Sequence, residues 1–448
     1  MAATFIEPAV LRISFLGLPM ATVGYREADR SHVLEFAPEF LASGHDPSPL
    51  RLPMEAVTGP RVFRAGDSPF AGGLPGLIAD SLPDAWGERM LTIEAPGLRT
   101  GLGKLAAIGQ RGPGALTFEP VLGEGADTTG ALSNLAALAQ EASRLAASAR
   151  PLTPGRVDAA LARGGSSLGG AYPKVTAHLP LTGPSLDLRQ VLIGGPPPAG
   201  HRPCIVKFST ANDEGGDGVE FALMEVARLA GIRVPMTTLV NDGTRRHFAV
   251  ERFDRYVRDD GTVGRRHVHT LSGMLHRRAS DTETPLDYED FMRLSRRLVG
   301  AHGAVECLRR AVFNLLATNR DDHGRNHAFV YDDRTRTWDL APAYDLNPSV
   351  ANRLVGLLWL GRDLVPRSFD EIRRLAEIGG VTERRVREVF AEVESAVFGG
   401  WPKAASAAGV PKETRDAWMA NMETQNRDLR ADVARVTTRR RSGPRRQG

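Results

Sequence analysis

The sequence predicts a two-lobed α+β fold: a small mixed domain first, then a strand-rich lobe, then a mostly helical lobe over the last third. Three observations carry this. Short apolar or alternating runs suited to strands recur as far as Arg255, for example over residues 9–15, 33–36 and 204–208. Beyond them the period changes, and Val305, Leu308, Val312, Leu315 and Leu316 repeat at helical spacing. Between and after these regimes lie glycine- and proline-rich breaks, GEGADTTG at 123–130 and GGPPPAGHRP at 194–203, which neither a helix nor a central strand accommodates.

Size and charge bound the rest. The chain has 448 residues, 42% hydrophobic and 25% charged, ordinary for a folded soluble protein with room for two or three domains. The expected boundaries are 1–120 for the mixed domain, 121–255 for the strand-rich lobe, 256–436 for the helical lobe and 437–448 for a basic, disordered tail. Arg439, Arg440, Arg441, Arg445 and Arg446 crowd that tail, so removing them takes the formal charge of +4 to −1 for the remainder. Two cysteines, Cys204 and Cys307, form no CxxC pair, which suits a reducing compartment without structural zinc. No run of eighteen apolar residues occurs, and Glu7 and Arg12 interrupt the N-terminal apolar run where a signal peptide needs its core. A cytoplasmic protein with no membrane partner is expected.

In the first domain, SLPDAW at 81–86 reads as a helix start with Pro83 just inside, and GQRGPGALTF at 109–118 as a glycine-rich turn into a strand. Asp84, Glu88 and Arg89 read as solvated charges of an exposed helix. A helix is expected over 131–149. Residues 161–179, LARGGSSLGGAYPKVTAHL, place two glycine pairs and two serines before Lys174 and a strand. Glycines let backbone N–H groups approach phosphate oxygens, and a lysine adds a point charge. The pattern is neither a Walker A loop nor GxGxxG, and a flexible loop before a hairpin has the same composition.

The strand CIVKF then sets Lys207 on the face opposite its neighbours, where burial is costly without an anion. A nucleotide phosphate or Glu220, in a helix expected over 219–230, could serve; an edge-strand lysine in water is the plain alternative. HFAVERFDR at 247–255 is a strand ending where a hinge would present backbone groups to adenine, with Arg252 and Asp254 read as surface charges and Glu251 acting through its backbone. Further helices are expected over 369–401 and 412–436.

The chemistry concentrates in residues 317–349, ATNRDDHGRNHAFVYDDRTRTWDLAPAYDLNPS. Phosphoryl transfer needs one carboxylate at the attacking hydroxyl, and an amide and a second carboxylate on Mg²⁺. Asp321, Asn326 and Asp345 have the order and spacing for those parts. Asp, Asn, Gly and His also make an ordinary turn. The full order is glycine loop, strand lysine, helix glutamate, hinge, Asp with Asn five later, then a metal Asp. That is the order of the two-lobed protein-kinase fold.

The motifs SLGGAYPK, VERFDR, NRDDHGRN and PAYDL, with SLPDAWG and GPGALTFEP near the N-terminus, resemble the HipA family of serine/threonine kinases, toxins of bacterial toxin–antitoxin pairs. The resemblance covers most of the chain. It implies Asp321 as catalytic base and Asn326 and Asp345 as Mg²⁺ ligands. It implies that Gly169, Gly170, Ala171, Tyr172, Pro173, Lys174 and Lys207 hold ATP phosphates, Glu220 pairs with the strand lysine, and Glu251, Arg252 and Phe253 form the adenine hinge. His323, Gly324, Arg325 and Tyr344 would lie along the nucleotide. Ser167 matches a serine that family members autophosphorylate, which switches the kinase off.

The family further implies a protein substrate with a Ser or Thr acceptor, aminoacyl-tRNA synthetases being the suggested class. It also implies a small helix-turn-helix antitoxin and DNA reached through it. Arg325 replaces the usual lysine and keeps its charge with a different fork geometry, and Pro173 removes a backbone N–H from the cradle. An active enzyme is expected. A lipid or small-molecule kinase, a metal-dependent phosphohydrolase using Asp321, His323 and Asp345, and a catalytically weak antitoxin-binding corepressor are the competing readings.

Overall fold

In the computed structural model, the described residues are 7–64, 66, 70, 73–120, 130–148, 157–209, 216–278, 285–347, 356–357, 359–360, 365–366 and 368–441. They form the two-lobed α+β arrangement as two compact units, one of Met1–Asp217, Pro235–Arg278 and Ala328–Ala341, the other of Gly218–Val234, Ala279–His327 and Pro342–Gly448.

The first unit contains an antiparallel five-stranded sheet in the order Arg61–Arg64, Ser31–Phe36, Leu18–Arg26, Val10–Phe15, Leu116–Glu119. Along Val10–Phe15 the apolar side chains alternate, so Leu11, Ile13 and Phe15 enter a core with Val23, Leu34 and Phe118. Each such side chain contributes roughly 1.5–3 kcal/mol through burial. A seven-stranded sheet follows in the order Ala131–Asn134, Gln190–Ile193, Lys174–Leu179, Arg202–Lys207, Arg246–Glu251, Thr237–Asn241, Ser185–Asp187, with only its last pair parallel. Val175, Ala177, Cys204 and Val206 line one face of it against Leu138, Ala142 and Leu161, leaving the alternate residues of the same strands for the other face.

Several local expectations change. The helix expected from 131 begins at Leu135: Asn134 is extended and its side chain accepts from the Ala137 N–H, while Ala131–Asn134 pairs with Gln190–Ile193 as an edge strand. The helix read at 81 starts at Ala85, because Asp84 is extended, so Pro83 lies outside it. The first glycine pair, Gly164 and Gly165, closes the helix Ala159–Gly165 instead of lying in a loop; Gly165 is packed against Met90 and Trp86, where a Cβ would collide. The last helix, Lys412–Arg441, continues into the segment expected to be disordered, in keeping with arginine's good helix propensity; residues 442–448 lie outside the described residues.

A third sheet joins His267–Thr270, Ala328–Asp332 and Thr337–Leu340. From its first strand His269 reaches Asp80 through Nδ1 at 2.6 Å and the Ser48 hydroxyl through Nε2 at 3.1 Å. The Ser–His–Asp order is that of a hydrolase triad. Ser48 and His269 are, however, 0% exposed, so no substrate meets the hydroxyl. Asp80 also accepts the Thr270 N–H at 2.8 Å and hydroxyl at 2.7 Å, which makes the cluster an internal brace.

The second unit is helical. Asp287 caps Tyr288–Leu298 through the Asp290 N–H, and Ser368 with Glu371 forms a capping box on Phe369–Ile378. The long helix Ala301–Leu316 is buried over its last ten residues. Asn426 Nδ2 donates to the Leu316 carbonyl at 3.1 Å and Asn421 Nδ2 to the Thr318 hydroxyl at 3.3 Å, so the C-terminal helix holds the end of this buried helix. The loop beginning with Asn319 and Asp321 leaves from that fixed point.

Removing one member of a buried polar cluster strands the others, at about 1–3 kcal/mol each. Asp80→Ala should therefore lower stability by roughly 2–4 kcal/mol in denaturant unfolding. A loss below about 0.5 kcal/mol would show that the brace carries no load.

Candidate active site

In the first unit the sheet register brings the predicted phosphate-binding residues together. Lys174 lies directly opposite Lys207, and Lys207 opposite Phe248, on adjacent antiparallel strands. Directly opposed residues share a face, so the two lysine side chains leave the sheet on the same side, an arrangement that opposes sheet stability unless anionic or hydrogen-bonding groups offset it. Lys174 is buried to 6% exposure and donates to the Gly169 carbonyl at 2.7 Å. Lys207 lies with its Nζ 5.8 Å from the Phe248 ring centroid.

The glycine loop has an unexpected neighbour. Asp84 accepts the Gly170 N–H at 2.9 Å, and the Trp86 N–H donates to the Gly170 carbonyl at 3.1 Å. A carboxylate oxygen thus holds one of the N–H groups assigned to phosphate. The charges read as solvated on this helix are engaged: Glu88 pairs with Lys104 at 2.6 Å and Arg89 donates to the Ser148 carbonyl at 2.5 Å. Gly170 has φ +84°, a conformation that suits glycine. Tyr172 is 58% exposed, and the Pro173 carbonyl accepts the Phe208 N–H at 2.9 Å. Ser167 is buried.

At the hinge, the Glu251 N–H donates to Met236 at 2.8 Å and the Arg252 N–H to Pro203 at 2.9 Å, so both are committed within the protein. The Glu251 carboxylate pairs with Arg202 at 2.7 Å, and the Phe253 carbonyl accepts from Arg266 at 3.0 Å. Arg252 and Asp254 are not surface charges. Asp254 is 6% exposed and accepts from Arg252, from Arg255 and from the Gly114 N–H. Burial works to raise the Asp254 carboxyl, but the two guanidinium groups hold it below the usual carboxylate range.

The second unit carries the loop. Asn326 Nδ2 donates to the Asp321 carbonyl at 2.8 Å, the Asn326 N–H to the His323 carbonyl at 2.8 Å, and the Tyr344 hydroxyl to the Arg325 carbonyl at 2.6 Å. These bonds close the segment on itself with Gly324 inside, and tie it to the stretch containing Asp345. Asp345 has φ +56° and its Oδ1 accepts from Asn347 at 3.2 Å. A non-glycine residue held in the left-handed region costs of order 1 kcal/mol and is found where a side chain must be aimed. With its Nδ2 engaged, Asn326 has its amide oxygen as the side-chain atom that could hold a metal. Among the described residues no group of three or more His, Cys, Asp or Glu side chains could hold a metal. Asn326 and Asp345 are two hard oxygen donors, a set suited to Mg²⁺, which keeps waters and phosphate oxygens as its other ligands. Glu220, buried at 5% exposure, belongs to this second unit, whereas Lys207 belongs to the first.

Sequence reasoning missed Asp322. It is buried beside Asp321 and accepts from Tyr288 and, at 3.3 Å, from Asn314. Asn319 in turn donates to Asn314 at 3.1 Å and accepts the Asp321 N–H at 3.3 Å. The signal was present in the helical stripe: Asn314 stands seven residues after Cys307 on the buried face, a polar group where only apolar ones were counted.

Comparison with known proteins fits this architecture. Residues 11–119 match the HipA N-terminal domain and residues 166–401 the HipA-like C-terminal domain. The chain belongs to the HipA family. A chain of the Shewanella oneidensis MR-1 toxin–antitoxin complex of HipA, HipB and operator DNA shares the fold, with TM-score 0.69 over 95% of this chain and 99% of that one at 18% identity. Two proteins of Sinorhizobium fredii (strain NBRC 101917 / NGR234) are similar in part. "Putative kinase Y4mE" is 33% identical over 153 residues, 33% of this chain and 36% of its own. "Putative kinase Y4dM" is 28% identical over 205 residues, 42% of this chain and 49% of its own. The matched stretches thus span less than half the length of either relative.

Burial pushes the Asp322 carboxyl up to about 6, against the lowering pull of Tyr288 and Arg320. Because its folded value lies above the ordinary 3.8, its contribution to stability is full below pH 3.8 and is lost as pH rises through about 6. Asp322→Asn should remove that decline, so that wild type loses about 2 kcal/mol relative to the variant between pH 4 and 7 in unfolding experiments. Parallel pH profiles would contradict the burial of a titrating carboxyl.

Proposed function

We propose that this chain is an ATP- and Mg²⁺-dependent serine/threonine protein kinase, the toxin of a toxin–antitoxin pair. The observation that carries the reading is the register of Lys174 against Lys207, two cations on one face beside a glycine loop. The constrained loop of Asp321 and Asn326, with Asp345 in a left-handed conformation, supports it from the second unit. ATP supplies the phosphoryl group and Mg²⁺ neutralises the charge on its oxygens. Lys174 and Lys207 hold phosphates, Asn326 and Asp345 hold the metal, and residues 251–253 border the adenine. Asp321 orients a Ser or Thr hydroxyl of the protein substrate and takes its proton as the new O–P bond forms and the γ-phosphate leaves ADP.

The HipB partner and operator DNA of the Shewanella complex support an antitoxin and DNA as partners here as well. The proposed setting is the cytoplasm; separately, none of the described helices is long and apolar enough to cross a membrane. The substrate is proposed as a cellular protein, aminoacyl-tRNA synthetases being the class the resemblance suggests.

Asp321→Asn should reduce phosphoryl transfer by about 10³-fold or more while leaving ATP affinity within severalfold, measured by radiometric assay and calorimetry. Retained transfer would remove Asp321 from the role of base. Intact-mass and peptide spectrometry after incubation with ATP and Mg²⁺ should place phosphate on Ser167 in wild type and none in the variant. Phosphate only at other residues would contradict autophosphorylation at Ser167.

A further inference from the structure

The five- and seven-stranded sheets of the first unit present four edge strands. An edge strand exposes unpaired backbone groups, and proteins commonly shield it with charge or proline. Arg61–Arg64 carries two arginines, Leu116–Glu119 ends in Glu119 before Pro120, and Ser185–Asp187 follows Pro184 and ends in Asp187. Ala131–Asn134, of sequence ALSN, has neither device. It also holds Leu132, which at 65% is among the most exposed large apolar side chains.

The register fixes which backbone groups stay open. The Leu135 N–H donates to the Arg189 carbonyl at 3.0 Å, and the strand pairs antiparallel with Gln190–Ile193, Ser133 opposite Val191 and Leu132 opposite Leu192. Opposed antiparallel residues alternate between exchanging both hydrogen bonds and exchanging none. Residues 131, 133 and 135 therefore turn their backbone groups inward, and Leu132 turns both its N–H and its C=O to the outer edge. Among the described residues no other strand pairs on that side. The Leu132 side chain leaves the sheet beside Leu192, on the face opposite the core residues Val191 and Ile193. This edge lies two strand spacings, roughly 10 Å, from the strand that carries Lys174, so it is separate from the candidate active site.

A donor and an acceptor open at one residue complement themselves. With a two-fold axis at Leu132, two copies of the strand run antiparallel, each Leu132 N–H donates to the Leu132 carbonyl of the other copy, and the two leucine side chains meet on one face. The other three edges each bring charge of one sign to such an axis, which opposes pairing. We propose that Ala131–Asn134 is the contact through which two copies of this chain associate, joining their seven-stranded sheets into one. The occupant is a second copy because the uncharged strand supplies its own complement and calls for no partner of opposite charge. Four residues make a small contact, so the dimer forms reversibly and depends on concentration. It needs no nucleotide and does not depend on the kinase reading.

Sedimentation velocity of the full chain over a wide concentration range is the test. Wild type should pass reversibly from monomer to dimer. Leu132→Lys and Leu132→Glu should each weaken the dimer about tenfold or more, because each sets like charges opposite one another. An equimolar mixture of those two variants should restore it as a heterodimer. Leu132→Pro, which removes the outward N–H and spares the ladder to Gln190–Ile193, should be monomeric as well. A wild type that stays monomeric throughout would overturn the proposal and leave the edge to a different protein. A dimer unchanged in the Lys and Glu variants would also overturn it, by placing the contact elsewhere. Failure of the mixture to re-form the dimer would contradict the pairing of Leu132 with Leu132, since lost fold in either variant shows separately in its thermal melt.

Discussion

Charge kept from water has to be hydrogen-bonded, and that constraint organises this molecule more visibly than its apolar cores do. Asp254 and Asp322 sit deep in the protein and Asp80 is largely enclosed, and each draws two or more segments of chain around itself. Asp80 joins the helical turn that contains it to the strand His267–Thr270. Asp254 joins the end of the hinge strand to the turn at Gly114. Asp322 joins the loop after the long buried helix to Tyr288 and Asn314. In every case at least one partner is distant in sequence, so the carboxylate converts local chain geometry into tertiary position.

The candidate catalytic residues inherit their precision from these knots. Asp321 precedes Asp322 in the chain, so fixing the buried carboxylate fixes the exposed side of the same turn. Asn326 closes that turn with a bond to the Asp321 carbonyl, and Tyr344 carries the closure on to Asp345. On the sheet, the register that buries Val175, Ala177, Cys204 and Val206 on one face sets Lys174 against Lys207 on the other. A slip of one residue in either strand would turn that strand's lysine into the core, so the apolar pattern itself guards the pairing.

Much of this was legible in the sequence. Alternation revealed the strands at 10–15 and 202–207, and helical spacing revealed the buried helix that ends at Leu316. The Asp321, Asn326 and Asp345 spacing singled out the segment that the structure folds into a closed loop. What stayed hidden were partnerships between distant segments. Arg252 and Asp254 read as surface charges because nothing local showed the turn at Gly114 closing over them. Asp84 read as a solvated helix-start residue because its acceptor role depends on Gly170, far along the chain. The strand Ala131–Asn134 read as helix because its partner lies near residue 190, and sheet pairing overrode the local propensity.

The most direct measurement of the central claim is a crystal structure of the full chain with Mg²⁺ and a non-hydrolysable ATP analogue. The account predicts phosphate oxygens within hydrogen-bond reach of the Lys207 and Lys174 ammonium groups, and Mg²⁺ on the Asn326 amide oxygen and the Asp345 carboxylate. Nucleotide bound away from both lysines, or metal held without Asn326 and Asp345, would contradict it.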